Sequence, residues 1–347
     1  MPAFVFAETL LAWHAAEGRH DLPWQHPRSA YRVWLSEIML QQTQVQTVIP
    51  YFENFLSRLP NLRALAEASD QEVMQAWAGL GYYSRARNLH KAARICMTDH
   101  DGELPQEFEA LIALPGIGRT TAGAILSQAF GKRYAIVDGN VKRVLTRFFA
   151  ITGNPASTAV SKQLWTMAEN LLPEKRMADY SQAIMDLGAT VCTRSKPSCA
   201  RCPLAGNCEA LQTGSVMRFP ERKTAKKTPQ RERFFLIMIN TGGDILLERR
   251  PAKGIWGGLH SLPEADDTDT AAQLASKLAK CRKSPQALAP VEHVFSHFRL
   301  LMRPLLFIEC TLKSQIADND AKAWVSRAHL STYGLPAPIK KILMSLP

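Results

Sequence analysis

Four of the seven cysteines fall between Cys192 and Cys208, spaced Cys192-x6-Cys199-x2-Cys202-x5-Cys208. Thiols this close together can share a metal or a cluster, which folds the chain into a wrapped loop there. Structural zinc sites usually pair two short Cys-x2-4-Cys knuckles across a longer gap. Only one short pair is present, so the wrap suits a [4Fe–4S] cube held at its corners, with zinc as the alternative. The other cysteines (Cys96, Cys281 and Cys310) are scattered. An odd, locally clustered set reads as metal binding in a reducing cytoplasm and not as a secreted disulfide framework.

The 347 residues leave room for two domains, each with its own core. Residues 1–212 read as mostly helical. Val33, Trp34, Ile38, Val45, Val48 and Ile49 recur at spacings of three and four, and Gly or Pro punctuates the segments. Residues 213–233 are basic, poor in apolar side chains and carry Pro220 and Pro229, which reads as a linker. Beyond it, Phe234–Ile239, the Gly242-Gly243-Asp244 turn and Ile245–Arg250 form a hairpin pattern. A helical stretch (Ala271–Ala279) and a second β-rich run (Leu300–Ile308) make residues 234–347 an α+β domain. No internal repeat is present. No apolar run reaches the roughly 18 residues of a membrane helix. Met1–Leu11 is apolar but holds Glu8 and lacks a basic start, so it reads as a core helix and not a signal peptide.

The net charge of +11 favours a polyanionic partner, nucleic acid ahead of an anionic membrane. Leu114-Pro115-Gly116-Ile117-Gly118-Arg119-Thr120 joins two helical segments, Phe108–Ala113 and Thr120–Phe130. Gly116 and Gly118 let the backbone turn and come close to a ligand. The next helix then directs its free N–H groups at the turn, where a phosphate fits without any base being read. Arg194 and Lys196, in the first cysteine loop, are either further phosphate contacts or a solvated charged loop.

Asp138 opens a basic helix (Val141–Phe149) and is placed to cap it. Capping alone explains an aspartate there, but it also holds the carboxylate ionised. Glu37 lies within the apolar run Val33–Leu40. It is either exposed on an amphipathic helix or buried with a raised pKa, able to serve as a general acid. Gln41 lies one turn on. One depressed and one raised carboxylate suit cleavage of a glycosidic bond. If that bond joins base to deoxyribose, the base must first leave the stack.

In this order, the motifs LPGIG, VDGN and C-x6-C-x2-C-x5-C resemble the endonuclease III-like helix-hairpin-helix superfamily. WLSEIMLQQTQV (residues 34–45) and the separate C-terminal domain resemble its MutY-type, adenine-excising branch. The resemblance covers nearly the whole chain. It implies a mostly α catalytic region, a helix-hairpin-helix over about 108–130, an iron–sulfur loop over 192–208 and an α+β Nudix/MutT-like C-terminal domain. It implies Glu37 as general acid at adenine N7, Asp138 as the carboxylate facing the cationic sugar, and Asn140 as their polar neighbour. By the same resemblance Gln42 and Tyr82 enter the base stack, Trp24 and Gln182 line the pocket, and the four cysteines hold a [4Fe–4S] cluster.

Thr120 stands where the lyase relatives carry a lysine, so the resemblance implies a monofunctional glycosylase. Lys142 could still trap the product sugar in a side reaction. Phe295-Ser296-His297 matches the loop that reads 8-oxoguanine. The C-terminal domain lacks the Arg-Glu-x2-Glu-Glu helix of Nudix hydrolases, and no hydrolase activity is expected of it. The implied partner is duplex DNA with adenine opposite 8-oxoguanine or guanine. A monomer is expected, cytoplasmic and associated with the nucleoid when on DNA.

Overall fold

A computed structural model describes residues 3–221, 229–251, 254–295, 297–312 and 322–346. Their contacts define two compact units: Met1–Ala68 with Asn88–Thr224, and Ser69–Arg87 with Ala225–Pro347.

The first unit is helical. Its core gathers Phe6, Leu10 and Leu11 from the Ala3–Glu17 helix and Val141 and Leu145 from the Gly139–Phe148 helix. Leu164, Ala183 and Leu187 complete it. Each such fully buried Leu or Phe contributes roughly 1.5–3 kcal/mol. Ser29 caps the Ala30–Leu40 helix, its hydroxyl accepting from the N–H of Arg32. The hairpin lies as expected between helices Phe108–Ala113 and Arg119–Ala124. Two short π-helical turns were not legible in the sequence. Ile125–Ala129 continues the Arg119–Ala124 helix, and Leu187–Val191 continues the Met177–Asp186 helix. Such turns frequently mark functional sites, and both of these supply residues to the site below.

The second unit is built on a mixed sheet. Strands Gln230–Asn240 and Arg299–Leu312 run parallel, from the Gln230–Arg299 pair to Met238–Phe307. Ile245–Arg249 returns antiparallel, so the hairpin is where the sequence places it. Alternation along the first strand decides the packing. Phe235 and Ile237 face Ile339, Ile342 and Leu343 of the Ala337–Met344 helix, while Leu236 and Met238 face Ala271, Ala275 and Leu278 of the Thr268–Leu278 helix.

Two boundaries differ from the sequence expectation. The stretch assigned to a linker over 213–233 is partly structured. Val216–Arg218 forms a 3-10 turn, and Arg147 donates to the carbonyls of Val216 and Phe219 at 3.1 and 3.0 Å. At the other end, Gln230–Arg233 already pair as strand, because backbone partners on Arg299–Met302 override their polar character. Residues 222–228 lie outside the described residues. Residues 69–87, expected within the helical domain of residues 1–212, group with the C-terminal residues. There the Arg87 guanidinium donates to the Gly257 carbonyl, and Gly334 packs near Met74.

Candidate active site

A cavity of about 610 Å³ opens in the first unit, lined by Arg19, Trp24, Glu37, Gln41, Thr120, Asp138, Asn140, Arg143, Gln182 and Arg194, among others. Residues far apart in sequence thus meet there. Glu37 comes from the middle of the Ala30–Leu40 helix, and Gln41 follows one turn later, as its spacing predicts. Asp138 is the N-cap of the Gly139–Phe148 helix, its Oδ1 accepting from the Val141 N–H at 2.7 Å.

Glu37 is half-buried and lines the cavity. Burial and, second, the Asp138 charge raise its pKa to about 7, while a side-chain hydrogen bond from Gln128 opposes them. That bond, Gln128 Nε2 to Glu37 Oε1 at 3.4 Å, comes from the first π-helical turn. Asp138 departs from expectation. The cap alone would hold it below the ordinary aspartate range, but burial raises it. The bonds from Val141 and Asn140 and the Arg143 charge only partly offset that rise. The two carboxyls are therefore both raised, and the expected one-down, one-up pair is corrected.

Asn140 is held at both ends of its amide. Its Nδ2 donates to Asp138 Oδ2 at 3.0 Å, and its Oδ1 accepts from Arg143 Nη2 at 2.8 Å. The same guanidinium donates to the carbonyls of Gly188 (2.6 Å) and Cys192 (2.7 Å). Arg143 thus links the aspartate cap to the first cysteine of the cluster, and sequence reading missed it. The signal was present in its position three residues after Asn140 on one helix face.

Trp24 and Gln182 are buried in the cavity wall, and Trp24 meets Phe52 edge-to-face at 5.4 Å. The Thr120 hydroxyl donates to the Val137 carbonyl at 3.4 Å, next to the aspartate. Gly116 takes a positive φ of 82°, which favours glycine, while Gly118 leaves open space where a side chain would stand. Arg194 and Lys196 are exposed, Arg194 at the cavity and Lys196 away from it. Lys142 does not line the cavity. Arg19 and Asp186 also join the site unforeseen, through an ion pair whose partners lie 167 positions apart.

Cys192, Cys199, Cys202 and Cys208 wall one small cavity together with Arg147. Among the described residues no group of three or more His, Cys, Asp or Glu meets the geometry of a single-ion site. Arg147 is 2% exposed and pairs with no carboxylate among the described residues. It donates to Cys192 Sγ at 3.3 Å and to the Thr193 and Arg194 carbonyls. A buried guanidinium with only neutral partners is costly. Anionic sulfur beside it removes that cost, so the residues present fit a thiolate-bound, negatively charged group.

Residues 35–170 match the family described as HhH-GPD superfamily base excision DNA repair protein, and residues 234–345 match the NUDIX domain. An adenine DNA glycosylase of Buchnera aphidicola subsp. Acyrthosiphon pisum is 36% identical over 99% of this chain and 98% of its own length. The adenine DNA glycosylase of Homo sapiens is 36% identical over 97% of this chain and 73% of its own. The chain belongs to the adenine DNA glycosylase family. It is a DNA glycosylase of base excision repair, and DNA is its partner.

The solved structure of a thermostable thymine-DNA glycosylase is similar to 61% of this chain and 97% of its own, with 30% identity and a TM-score of 0.56. An endonuclease III in a non-covalent DNA complex shares the fold, with 21% identity, a TM-score of 0.51 and 61% and 95% coverage. The helical catalytic fold and the α+β Nudix-like domain expected from the sequence are thus present in this family member.

The second unit holds a cavity of about 550 Å³ lined by Tyr82, Arg87, Trp256, His293, Phe295 and His297, among others. It brings the predicted stacking tyrosine together with two residues of the predicted reading loop. Ser296 lies outside the described residues. Phe295 stacks on Phe298 at 4.6 Å and packs near Trp256. Tyr82 is 46% exposed at φ 49°, and Gln42, in the other unit, is exposed at φ 60°. Both are non-glycine residues in the left-handed region, and the Arg85 guanidinium lies 5.2 Å from the centre of the Tyr82 ring. The acids after Pro263 are engaged in structure. Glu264 pairs with Arg250, Asp266 with Arg233, and Asp267 caps the Thr268–Leu278 helix.

Proposed function

We propose that this glycosylase removes adenine placed opposite 8-oxoguanine or guanine in duplex DNA, without lyase activity. The observation that carries the reading is Glu37 beside Asp138 in one cavity, with Glu37 raised to about 7. At neutral pH a large fraction of Glu37 holds its proton. It gives that proton to a ring nitrogen of the extruded base as the C1′–N9 electron pair leaves with the base. The Asp138 carboxylate stabilises the positive charge developing on the sugar. Water then adds at C1′ and gives up a proton to a carboxylate. Asn140 and Arg143 hold Asp138 in place, and Trp24 and Gln182 wall the base. Thr120 has no amine with which to form a Schiff base.

The hairpin through Gly116 and Gly118, with Arg194, Lys196 and Lys142, supplies the backbone contacts. Gln42 and Tyr82 fill the stack, and Phe295, Ser296 and His297 read the opposite base. Cys192, Cys199, Cys202 and Cys208 hold a [4Fe–4S] cluster, favoured over zinc by their spacing, which has only one short Cys-x2-Cys pair. Bound there, it fixes the loop that carries Arg194 and Lys196. The enzyme acts as a monomer in the cytoplasm. No helix among the described residues is long and apolar enough to cross a membrane.

The test is single-turnover base release from duplexes with adenine opposite 8-oxoguanine, guanine or thymine. Release from the first two pairs, lost in Glu37→Gln and Asp138→Asn with duplex binding kept, is expected. Equal release from the adenine–thymine pair would sink the mispair reading. Strand scission without added base would sink the monofunctional one. Iron and sulfide analysis of the purified protein decides the cluster.

A further inference from the structure

Gln182 is 3% exposed in the wall of the base cavity. Its Nε2 donates to Asp186 Oδ1 at 2.7 Å, while its Oε1 is buried with no hydrogen-bond partner among the described residues. A buried amide oxygen left bare costs free energy comparable to a lost hydrogen bond. It is accounted for when a ligand supplies the missing donor.

Which end of an amide faces a ligand is decided by its other neighbours. Here the neighbour is Asp186, with a side chain at 0% exposure. Arg19 holds it through Nε at 2.9 Å and Nη2 at 2.6 Å, both on Oδ1, and through its own N–H at 2.8 Å on Oδ2. His14 Nε2 lies 3.5 Å from Oδ2. Burial works to raise the Asp186 pKa, but the His14 and Arg19 contacts outweigh it and hold the carboxyl below the usual range. An ionised carboxylate only accepts. Gln182 therefore turns its NH2 group to Asp186 and leaves its oxygen buried and unpaired in the wall of the cavity.

We propose that Asp186 is a positioning residue that sets the base preference. By fixing the Gln182 amide, it offers an acceptor to the group at purine C6. Adenine carries an amino donor at that position, whereas guanine and hypoxanthine carry an acceptor oxygen. A 6-oxopurine would face Gln182 oxygen to oxygen, and a buried acceptor pair of that kind is rejected more strongly than a missing contact. The proposal rests on the adenine-excision reading above.

The experiment compares single-turnover release of adenine and of hypoxanthine, each opposite 8-oxoguanine, in the full-length protein. Asp186→Leu removes the acceptor and lets the Gln182 amide turn. Its adenine-to-hypoxanthine rate ratio should fall by about tenfold, the scale of one buried hydrogen bond. Asp186→Asn should keep most of the ratio, because three donors converge on Oδ1 and favour a carbonyl there. Arg19→Leu/Asp186→Leu removes the unpaired cation as well and replaces the single variant if that one fails to fold. An unchanged ratio in the leucine variants, with both rates lowered equally, would show a merely structural role and overturn the proposal alone. No adenine release by the unaltered protein would overturn the excision reading and this proposal together.

Discussion

Glu37 and Asp138 share one cavity, and burial together with the Asp138 charge lifts the Glu37 carboxyl to about 7. A general acid must be protonated when it acts, so this pairing sets the pH dependence of base release. Above about pH 7 the protonated fraction of Glu37 falls about tenfold per unit, and the single-turnover rate should follow it. On the acid side the rate should fall as Asp138, itself raised by burial, gains a proton. Any residual release by Glu37→Gln should lack the alkaline limb. A wild-type rate constant from pH 6 to pH 9 would rule out Glu37 as the proton donor.

The same shift has a cost in stability, with a definite sign. Glu37 titrates near its ordinary 4.5 when unfolded and at about 7 when folded. The folded state therefore resists ionisation. Stability is fully present below about pH 4.5 and is lost as pH rises to about 7. The difference corresponds to about 3 kcal/mol at alkaline pH, at about 1.4 kcal/mol per pKa unit. Glu37→Gln should accordingly be more stable than the wild type at pH 8 and nearly equal to it at pH 4. Urea melts at the two pH values check this. Equal midpoint shifts at both would place Glu37 in a solvated environment.

The sequence carried the helical site elements well, because they rest on local signals. Asp138 as a cap, Glu37 and Gln41 one turn apart, and the hairpin glycine at 116 are all written in short spacings. Interactions between distant segments were not legible. Nothing local marks Arg19 as the partner of Asp186, or Gln128 as the partner of Glu37. The direction of the Asp138 shift was misjudged for the same reason. A cap is visible in sequence, but the burial that outweighs it comes from tertiary packing. In the second unit, the turn glycines between two apolar, β-prone runs marked the hairpin. The parallel pairing that pulls the polar Gln230–Arg233 into strand gave no such sign.

Cysteine counting pointed to a reducing cytoplasm with no disulfide framework, and one pair departs from it. Cys281 and Cys310 stand directly opposite each other on antiparallel strands and are joined, 29 positions apart in sequence. Closing a loop of that length restricts the unfolded chain by about 3–4 kcal/mol. Cys281→Ser should therefore lower the stability of air-oxidised protein by about that amount and leave fully reduced protein nearly unchanged. Thermal melts with and without reductant, with peptide mapping of the bridge, make the comparison. Free thiols at both positions in oxidised protein would refute the bond.

Gly188, on the second π-helical turn, packs against Asn140 so closely that a Cβ there would stand 2.6 Å from the Asn140 Cβ and 3.0 Å from its backbone. Gly188→Ala must therefore push the asparagine, because backbone cannot rotate away. Asn140 in turn holds Asp138 Oδ2 through its Nδ2 at 3.0 Å. The substitution also disturbs the Gly188 carbonyl that accepts from Arg143. Shifts of about 1 Å in a reacting group cost up to about a hundredfold in rate. Gly188→Ala should lower single-turnover base release by about 10- to 100-fold, with a smaller loss in duplex affinity and about 1–3 kcal/mol of overpacking strain. Arg143→Met, which removes the bond to Asn140 without adding bulk, should slow the same step. If both variants release base within twofold of the wild-type rate, Asp138 is placed by its own cap alone and the Asn140–Arg143–Gly188 contacts serve stability only.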